Sequence, residues 1–316
     1  MLGFKGAGAL GKRKGSDMGK EGMGEKPKYK RPAADTTGKG FSSNRKFLPK
    51  GLVILYEDRD ILVVDKPAGL LTVATKTEKL RTLHFVLTDY IRKGSAKSRK
   101  EVYVVHRLDQ QTSGVLIFAK TETAKLTLQG RWPETAKEYL AVVHGRLAER
   151  SGTIRSYLTE NKASQVVYAT TDTTTGKLSH TAYKVLRETK GFSLLEIHPL
   201  TGRKNQIRVH LADIGHPVVG DRKYGKGNEH YARMALHARS IAFNHPFNGK
   251  RLFFEADVPE YFDKFVGRID REKQKYREKR SDQQNADAFS DLDGGSIGKA
   301  ERVSAKISKG LAQIQK

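Results

Sequence analysis

Seven short runs of β-branched and aromatic residues, spread between Leu52 and Ile197, limit this chain to a fold built around a sheet. They are Leu52–Tyr56, Ile61–Val64, Val102–Val105, Gly114–Ala119, Tyr139–Val143, Thr181–Leu186 and Phe192–Ile197. Each has the length of a strand, and most are bounded by turn residues. Helical patterns are fewer. Thr82 predicts an N-cap, with Leu83, Val86, Leu87, Tyr90 and Ile91 following on one face. A second helix is predicted over Thr121–Gln129. A third starts near Asn205, with Ile207, Leu211 and Ile214 in one stripe until Gly215-His216-Pro217 ends it. Single helices interrupting many strands predict an α+β fold: a mixed, mostly antiparallel sheet flanked by helices. No internal repeat is found.

The apolar runs occupy only part of the 316 residues, of which 37% are hydrophobic. Residues 1–50 hold 13 Lys/Arg against 4 Asp/Glu and 10 of the 30 glycines. Such a stretch buries too little surface to offset its ordering entropy, so a disordered basic tail is expected there. Residues 266–316, with 12 basic and 8 acidic residues, are expected to be a charged tail, partly disordered or helical. The folded domain is placed at 51–265, which is itself basic with 34 Lys/Arg against 23 Asp/Glu. A total charge of +24 points to a polyanionic partner, nucleic acid first. No apolar run approaches the ~18 residues of a membrane span, and Met1-Leu-Gly-Phe-Lys5 opens no signal core. A cytoplasmic protein without a membrane partner is expected. The absence of cysteine excludes disulfides, thiol nucleophiles and thiolate metal sites.

Two segments concentrate chemistry. His106-Arg-Leu-Asp109-Gln-Gln-Thr112-Ser113-Gly114 sets two potential cations and a carboxylate in a loop between two apolar runs. Asp109 and Thr112 are also residues that close turns with their side chains. Thr201-Gly-Arg203-Lys204-Asn-Gln206-Ile-Arg208 precedes and enters the third helix. Its amides, with Arg203, Lys204 and Arg208, would suit a phosphate or a carboxylate; ordinary solvated cations are the plainer reading. His210 with His216, and His237 with His245 around an expected strand, lack the spacing of a metal pair on a helix. Phosphate-loop, dinucleotide and nucleophile-elbow patterns are missing.

Taken jointly, residues 52–265 resemble the RluA-type family of RNA pseudouridine synthases. His106-Arg-Leu-Asp109-x-x-Thr-Ser-Gly114 matches that family's signature, and four further matches follow in the family's order. These are Asp65-Lys-Pro-Ala-Gly-Leu70, Lys137-Glu-Tyr139-Leu-Ala-Val-Val143, Gly202-Arg-x-x-Gln-Ile-Arg-Val-His-Leu211 continuing to Gly215-His-Pro-Val-Val-Gly-Asp221, and Ala235-Leu-His-Ala238. Asn205 departs from the family's usual His. The resemblance implies that the enzyme flips a uridine of ribosomal or transfer RNA and isomerises it to pseudouridine. Asp109 would break the glycosidic bond, as nucleophile at C1′ or base at C2′. Tyr139 would stack on the uracil and help remove the C5 proton, Arg208 would pair with Asp109, and Arg107 would fill the space left by the flipped base. His106, Thr112, Arg203 and Gln206 are expected to contact substrate. The resemblance implies no cofactor and no metal, and a monomer is expected. An inactive RNA-binding or ribosome-associated protein on the same fold is the alternative, and would be expected to have lost Asp109, Tyr139 or Arg208.

Overall fold

The structure, a computed structural model, describes residues 48–95 and 97–269. In chain order the strands are β1 (Val53–Glu57), β2 (Ile61–Lys66), β3 (Tyr103–Val104), β4 (Ser113–Ala119), β5 (Ala136–His144), β6 (Ser151–Asn161), β7 (Val166–Thr170), β8 (Lys177–Glu188), β9 (Phe192–Pro199), β10 (Leu236–Asn244) and β11 (Arg251–Glu255). All belong to one sheet, ordered β1-β2-β4-β10-β5-β9-β8-β6-β7, with β3 beside β4 and β11 beside β10. Among the described strands only β4 and β10 run parallel; every other pair is antiparallel. Helices α1 (Leu83–Arg92), α2 (Glu122–Gly130), α3 (Gln206–Asp213) and α4 (Asp263–Val266) flank it. The α+β class with a mixed, mostly antiparallel sheet is therefore the one observed.

The continuous apolar run of β4 is buried on both faces because a helix covers each. Leu116 and Phe118 pack with Leu83 and Leu87 of α1, while Val115, Ile117 and Ala119 pack with Ala124 and Leu128 of α2. Both helices start at the threonines that the sequence marks. The Thr82 hydroxyl accepts from Phe85 N at 3.2 Å and the Thr121 hydroxyl from Ala124 N at 3.1 Å.

The strands, the third helix and the C-terminal boundary each depart from expectation. Strands β6, β7 and β11 were not foreseen: in β6 the apolar residues are diluted by Thr, Ser, Arg and Glu, and in β7 and β11 the apolar runs are short and largely half-exposed. The predicted stripe of α3 is cut short. Ile207 and Leu211 are buried, but the helix stops at Asp213 and Ile214 is 38% exposed. Val209 instead fills a second contact with Leu158 of β6 and Val167 of β7, so α3 is buried on two sides. At the C-terminal boundary the core runs past residue 265, because Val266 and Ile269 pack with Leu140 and Phe262. Apart from 48–50 and 266–269, the two expected tails lie outside the described residues.

Candidate active site

The parallel join of β4 to β10 fixes the site. Ser113 lies opposite His237 and Gly114 opposite Ala238. Gly114 has φ +114°, and a Cβ there would stand 2.1 Å from the Ala238 carbonyl oxygen, so only glycine lets the strands approach. The Ser113 hydroxyl accepts from Arg233 Nη2 at 2.7 Å and lies 2.9 Å from His237 Nδ1. Burial lowers the His237 pKa to about 3, keeping the ring neutral and able to accept the Ser113 proton. The Thr-Ser-Gly end of the signature thus builds the join. Register continues the row from Gly114 through Ala238 to Tyr139 of β5 and Ile197 of β9. Residues directly opposite in such a row share a sheet face. Tyr139 packs against Ala238 in the core beneath this row.

Asp109 stands in the turn that enters β4. Thr112 N donates to the Asp109 carbonyl at 3.1 Å, and the loop is held from behind by the end of β2. Lys66, fully buried, donates to the carbonyls of Pro67, Leu70 and Gln110 at 3.0, 2.8 and 3.0 Å. Burial lowers its pKa to about 7, and the Asp109 charge opposes that shift. Gly69 N donates to the Gln110 carbonyl at 2.8 Å, and Gln110 Nε2 returns a bond to the Gly69 carbonyl at 3.0 Å. The Asp65-to-Leu70 motif is in this way the rear wall of the Asp109 turn.

Helix α3 brings Arg208 to the same place from the far side of the sheet. Its Nη1 donates to Asp109 Oδ2 at 2.7 Å. Its other edge grips Asp221 with two bonds, Nε to Oδ2 at 2.7 Å and Nη2 to Oδ1 at 2.8 Å. Asn205, in a left-handed conformation at φ +55°, accepts from Nη1 at 3.1 Å and donates to the Tyr224 hydroxyl at 2.9 Å. The guanidinium lies over the Tyr224 ring, 4.9 Å from its centroid. Desolvation works against the charge, yet hydrogen bonds and charge from Asp221 and then Asp109 raise the Arg208 pKa above its ordinary value. Side-chain exposure falls from 32% at Asp109 to 12% at Arg208 and 1% at Asp221, so the chain of charges runs from open surface into the interior. Burial, and secondarily the Asp109 charge, push the Tyr139 phenol upward from 10.0, leaving it protonated at neutral pH.

The structure brings Asp109, Tyr139 and Arg208 together, leaves Arg107 and Arg203 exposed, and bonds or buries His106, Thr112 and Gln206 within the protein. Arg107 is exposed, with no hydrogen bond or ion pair among the described residues, and Arg203 is exposed at the start of α3. His106 is occupied inside: Nε2 accepts from Ile117 N at 3.1 Å, and the ring lies 4.4 Å from that of Trp132. Its pKa is lowered to about 3 by burial and by Lys137. Thr112 is buried in the turn. Gln206 spends its amide on the protein. Its Nε2 donates to the His180 carbonyl and the Thr181 hydroxyl, both at 2.9 Å, and its Oε1 accepts from Thr201 and Arg203 N at 2.7 and 3.0 Å. These bonds pin α3 to β8. The anion expected near Arg203, Lys204 and Arg208 is internal, since Lys204 pairs with Glu160 and Arg208 with the two aspartates.

Sequence reasoning did not single out Asp221, Tyr224 or Lys66 as site residues. The only signal for Lys66 and Asp221 was membership of longer motifs, and Tyr224 lies three residues past one of them. The histidines considered for metal are engaged otherwise: His210 Nδ1 with the Thr181 hydroxyl, His216 Nδ1 with the His144 carbonyl, and His245 Nε2 with Asp58.

Comparison with known proteins places the chain in a family. The family profile described as RNA pseudouridylate synthase matches residues 60–213. Ribosomal large subunit pseudouridine synthase C of Buchnera aphidicola is 34% identical over 230 residues, 68% of this chain and 70% of that protein. The protein of the same description from Rickettsia bellii is 32% identical over 245 residues, 75% of this chain and 79% of that one. The solved structure of human RNA pseudouridylate synthase domain containing 1 superposes with a TM-score of 0.56 at 26% identity, covering 72% of this chain and 94% of that one. An Asp-Arg pair beside a tyrosine at a parallel strand join, together with this breadth of similarity, leads to one conclusion: the chain belongs to the RNA pseudouridylate synthase family and is an RNA-modifying isomerase.

Proposed function

We propose that this enzyme isomerises uridines of ribosomal RNA, with Asp109 as the reacting carboxylate. The observation that carries the reading is the 2.7 Å pair of Arg208 with a partly exposed Asp109, set at the strand join beside Tyr139. Asp109 is accessible at the surface, while a uridine in folded RNA hides its glycosidic bond. The base must therefore leave its stack, at a cost of about a few kcal/mol. Arg107, exposed two residues before Asp109, fills the vacated space, and the ring of Tyr139, one strand from the β4–β10 join, stacks on the uracil. The C1′–N1 bond breaks with Asp109 acting at C1′ or at C2′. The uracil turns, C5 bonds to C1′ as Asp109 releases C1′ or returns the C2′ proton, and the C5 proton leaves through the Tyr139 phenol, which passes on its own proton, while N1 takes one up. No atom is gained or lost.

The ribosomal target is supported by the two bacterial relatives, both described as acting on the large ribosomal subunit. Exposed Arg107, Arg203, Arg222, Lys223 and Lys226 supply phosphate contacts. An inactive RNA-binding protein is not favoured, because Asp109, Tyr139 and Arg208 are all present and the two charges are paired. Asp109→Asn is expected to abolish conversion while leaving RNA affinity within about tenfold, since binding rests on distributed phosphate contacts. The assay must detect pseudouridine chemically, because its mass equals that of uridine. Normal turnover by the variant would remove Asp109 from this role. Mapping pseudouridines with and without the protein identifies the target, and unchanged ribosomal RNA would exclude it as the substrate.

A further inference from the structure

Arg208 is a long side chain beside a site that must receive RNA, and a guanidinium takes a phosphate as readily as a carboxylate. Something must hold it on Asp109 while phosphates arrive. We propose that Asp221 is the positioning residue that does so: it occupies the Nε and Nη2 edge of Arg208, leaving Nη1 as the edge that meets Asp109. The proposal rests on the reading of Asp109 and Arg208 given above.

The geometry is specific to this task. The edge that Asp221 covers is the two-pronged one that a phosphate would otherwise take. Asp221 is 1% exposed, so an incoming RNA cannot readily displace it. It is fixed in turn by its own loop, because Oδ1 also accepts from Lys223 N at 3.0 Å and Tyr224 N at 3.2 Å. Gly220 lets the chain enter that loop, with φ +77° and the Arg233 carbonyl oxygen 2.1 Å from where a Cβ would stand. Tyr224 covers one guanidinium face, and Asn205 takes the remaining reach of Nη1. Arg208 is thereby held on four sides while its carboxylate partner Asp109 stays open to substrate. The pairing also leaves two carboxylates on one guanidinium, so the group as a whole keeps a negative charge.

Asp221→Asn separates this role from a structural one. With its oxygen in the Oδ1 position, Asn keeps the acceptances from Lys223 N, Tyr224 N and Nη2, but it sets an NH2 against Arg208 Nε–H. The loop is retained and one prong is lost. The expected result, in the full chain, is a single-turnover rate at saturating RNA lowered roughly 10- to 100-fold, with the dissociation constant for RNA within about threefold. In an Arg208→Gln background, adding Asp221→Asn should slow the reaction less than about twofold further, because the two residues act as one unit. A wild-type rate for Asp221→Asn, or an equal loss in both backgrounds, overturns the proposal. So does loss of a cooperative melt by Asp221→Asn, which would make Asp221 a residue of the fold. Turnover by Asp109→Asn would instead refute the underlying assignment.

Discussion

At Gly114 the backbone takes φ +114° with the Ala238 carbonyl where a side chain would begin, so this position is decided by sterics before chemistry enters. Gly114→Ala is expected to cost about 3 kcal/mol or more, through positive-φ strain and forced separation of β4 from β10. A urea melt measures the loss; a change under about 1 kcal/mol would show that the strands adjust freely. The same scale explains what the sequence could reveal. Asp109, Tyr139 and Arg208 were legible because each sits in a motif of its own. Asp221 was quoted within a motif but not recognised as a partner of Arg208. The two are 13 residues apart with a helix end and a turn between them, and no periodicity links positions across such a break. Gln206 shows the reverse case, a polar motif residue whose bonds are all made inside the protein.

Elements were legible where the apolar pattern was unmixed. The continuous run of β4, the capped pattern of α1 and the span of α2 are reproduced, whereas β6 interleaves polar with apolar residues and β7 and β11 are apolar runs of only four and three residues, which single-sequence reading passes over. One link between elements is testable through pH. Asp58, in the turn joining β1 to β2, accepts from Asp60 N and Ile61 N at 2.8 Å each, from Tyr56 at 3.0 Å and from His245 at the end of β10 at 2.8 Å. Burial pulls this carboxyl upward, but the amides of Ile61 and Asp60, then His245 and Tyr56, outweigh it and hold it below 3.8. A depressed carboxyl stabilises the fold above its unfolded pKa and loses that contribution as pH falls through the folded one. Asp58→Asn should therefore cost about 1–2 kcal/mol at pH 7, by leaving the His245 N–H facing an amide. The gap to wild type should shrink below about pH 4. A gap that is constant with pH in denaturant melts would show that the carboxylate charge is not what joins the two turns.

Over the whole molecule, the +24 charge divides into a folded region with 34 basic and 23 acidic residues and two terminal stretches that hold the rest of the excess. The described residues include exposed cations, Arg107 among them two positions before Asp109, and no helix among them is long and apolar enough to cross a membrane. Deleting residues 1–50 removes an excess of nine positive charges, and should weaken RNA binding and flatten its dependence on salt. An unchanged slope of log affinity against log salt would show that this segment makes no phosphate contact. The site itself is a property of the entire fold, because Ser113 meets His237 across 124 residues of chain. At roughly 5–20 residues per second, β10 is synthesised on the order of ten seconds after the Asp109 turn. A growing chain thus carries Asp109, and later Arg208, before the strand that seats them exists. The site is completed only once β10 has been made, and a chain that stops before that strand holds Asp109 and Arg208 without the join that seats them.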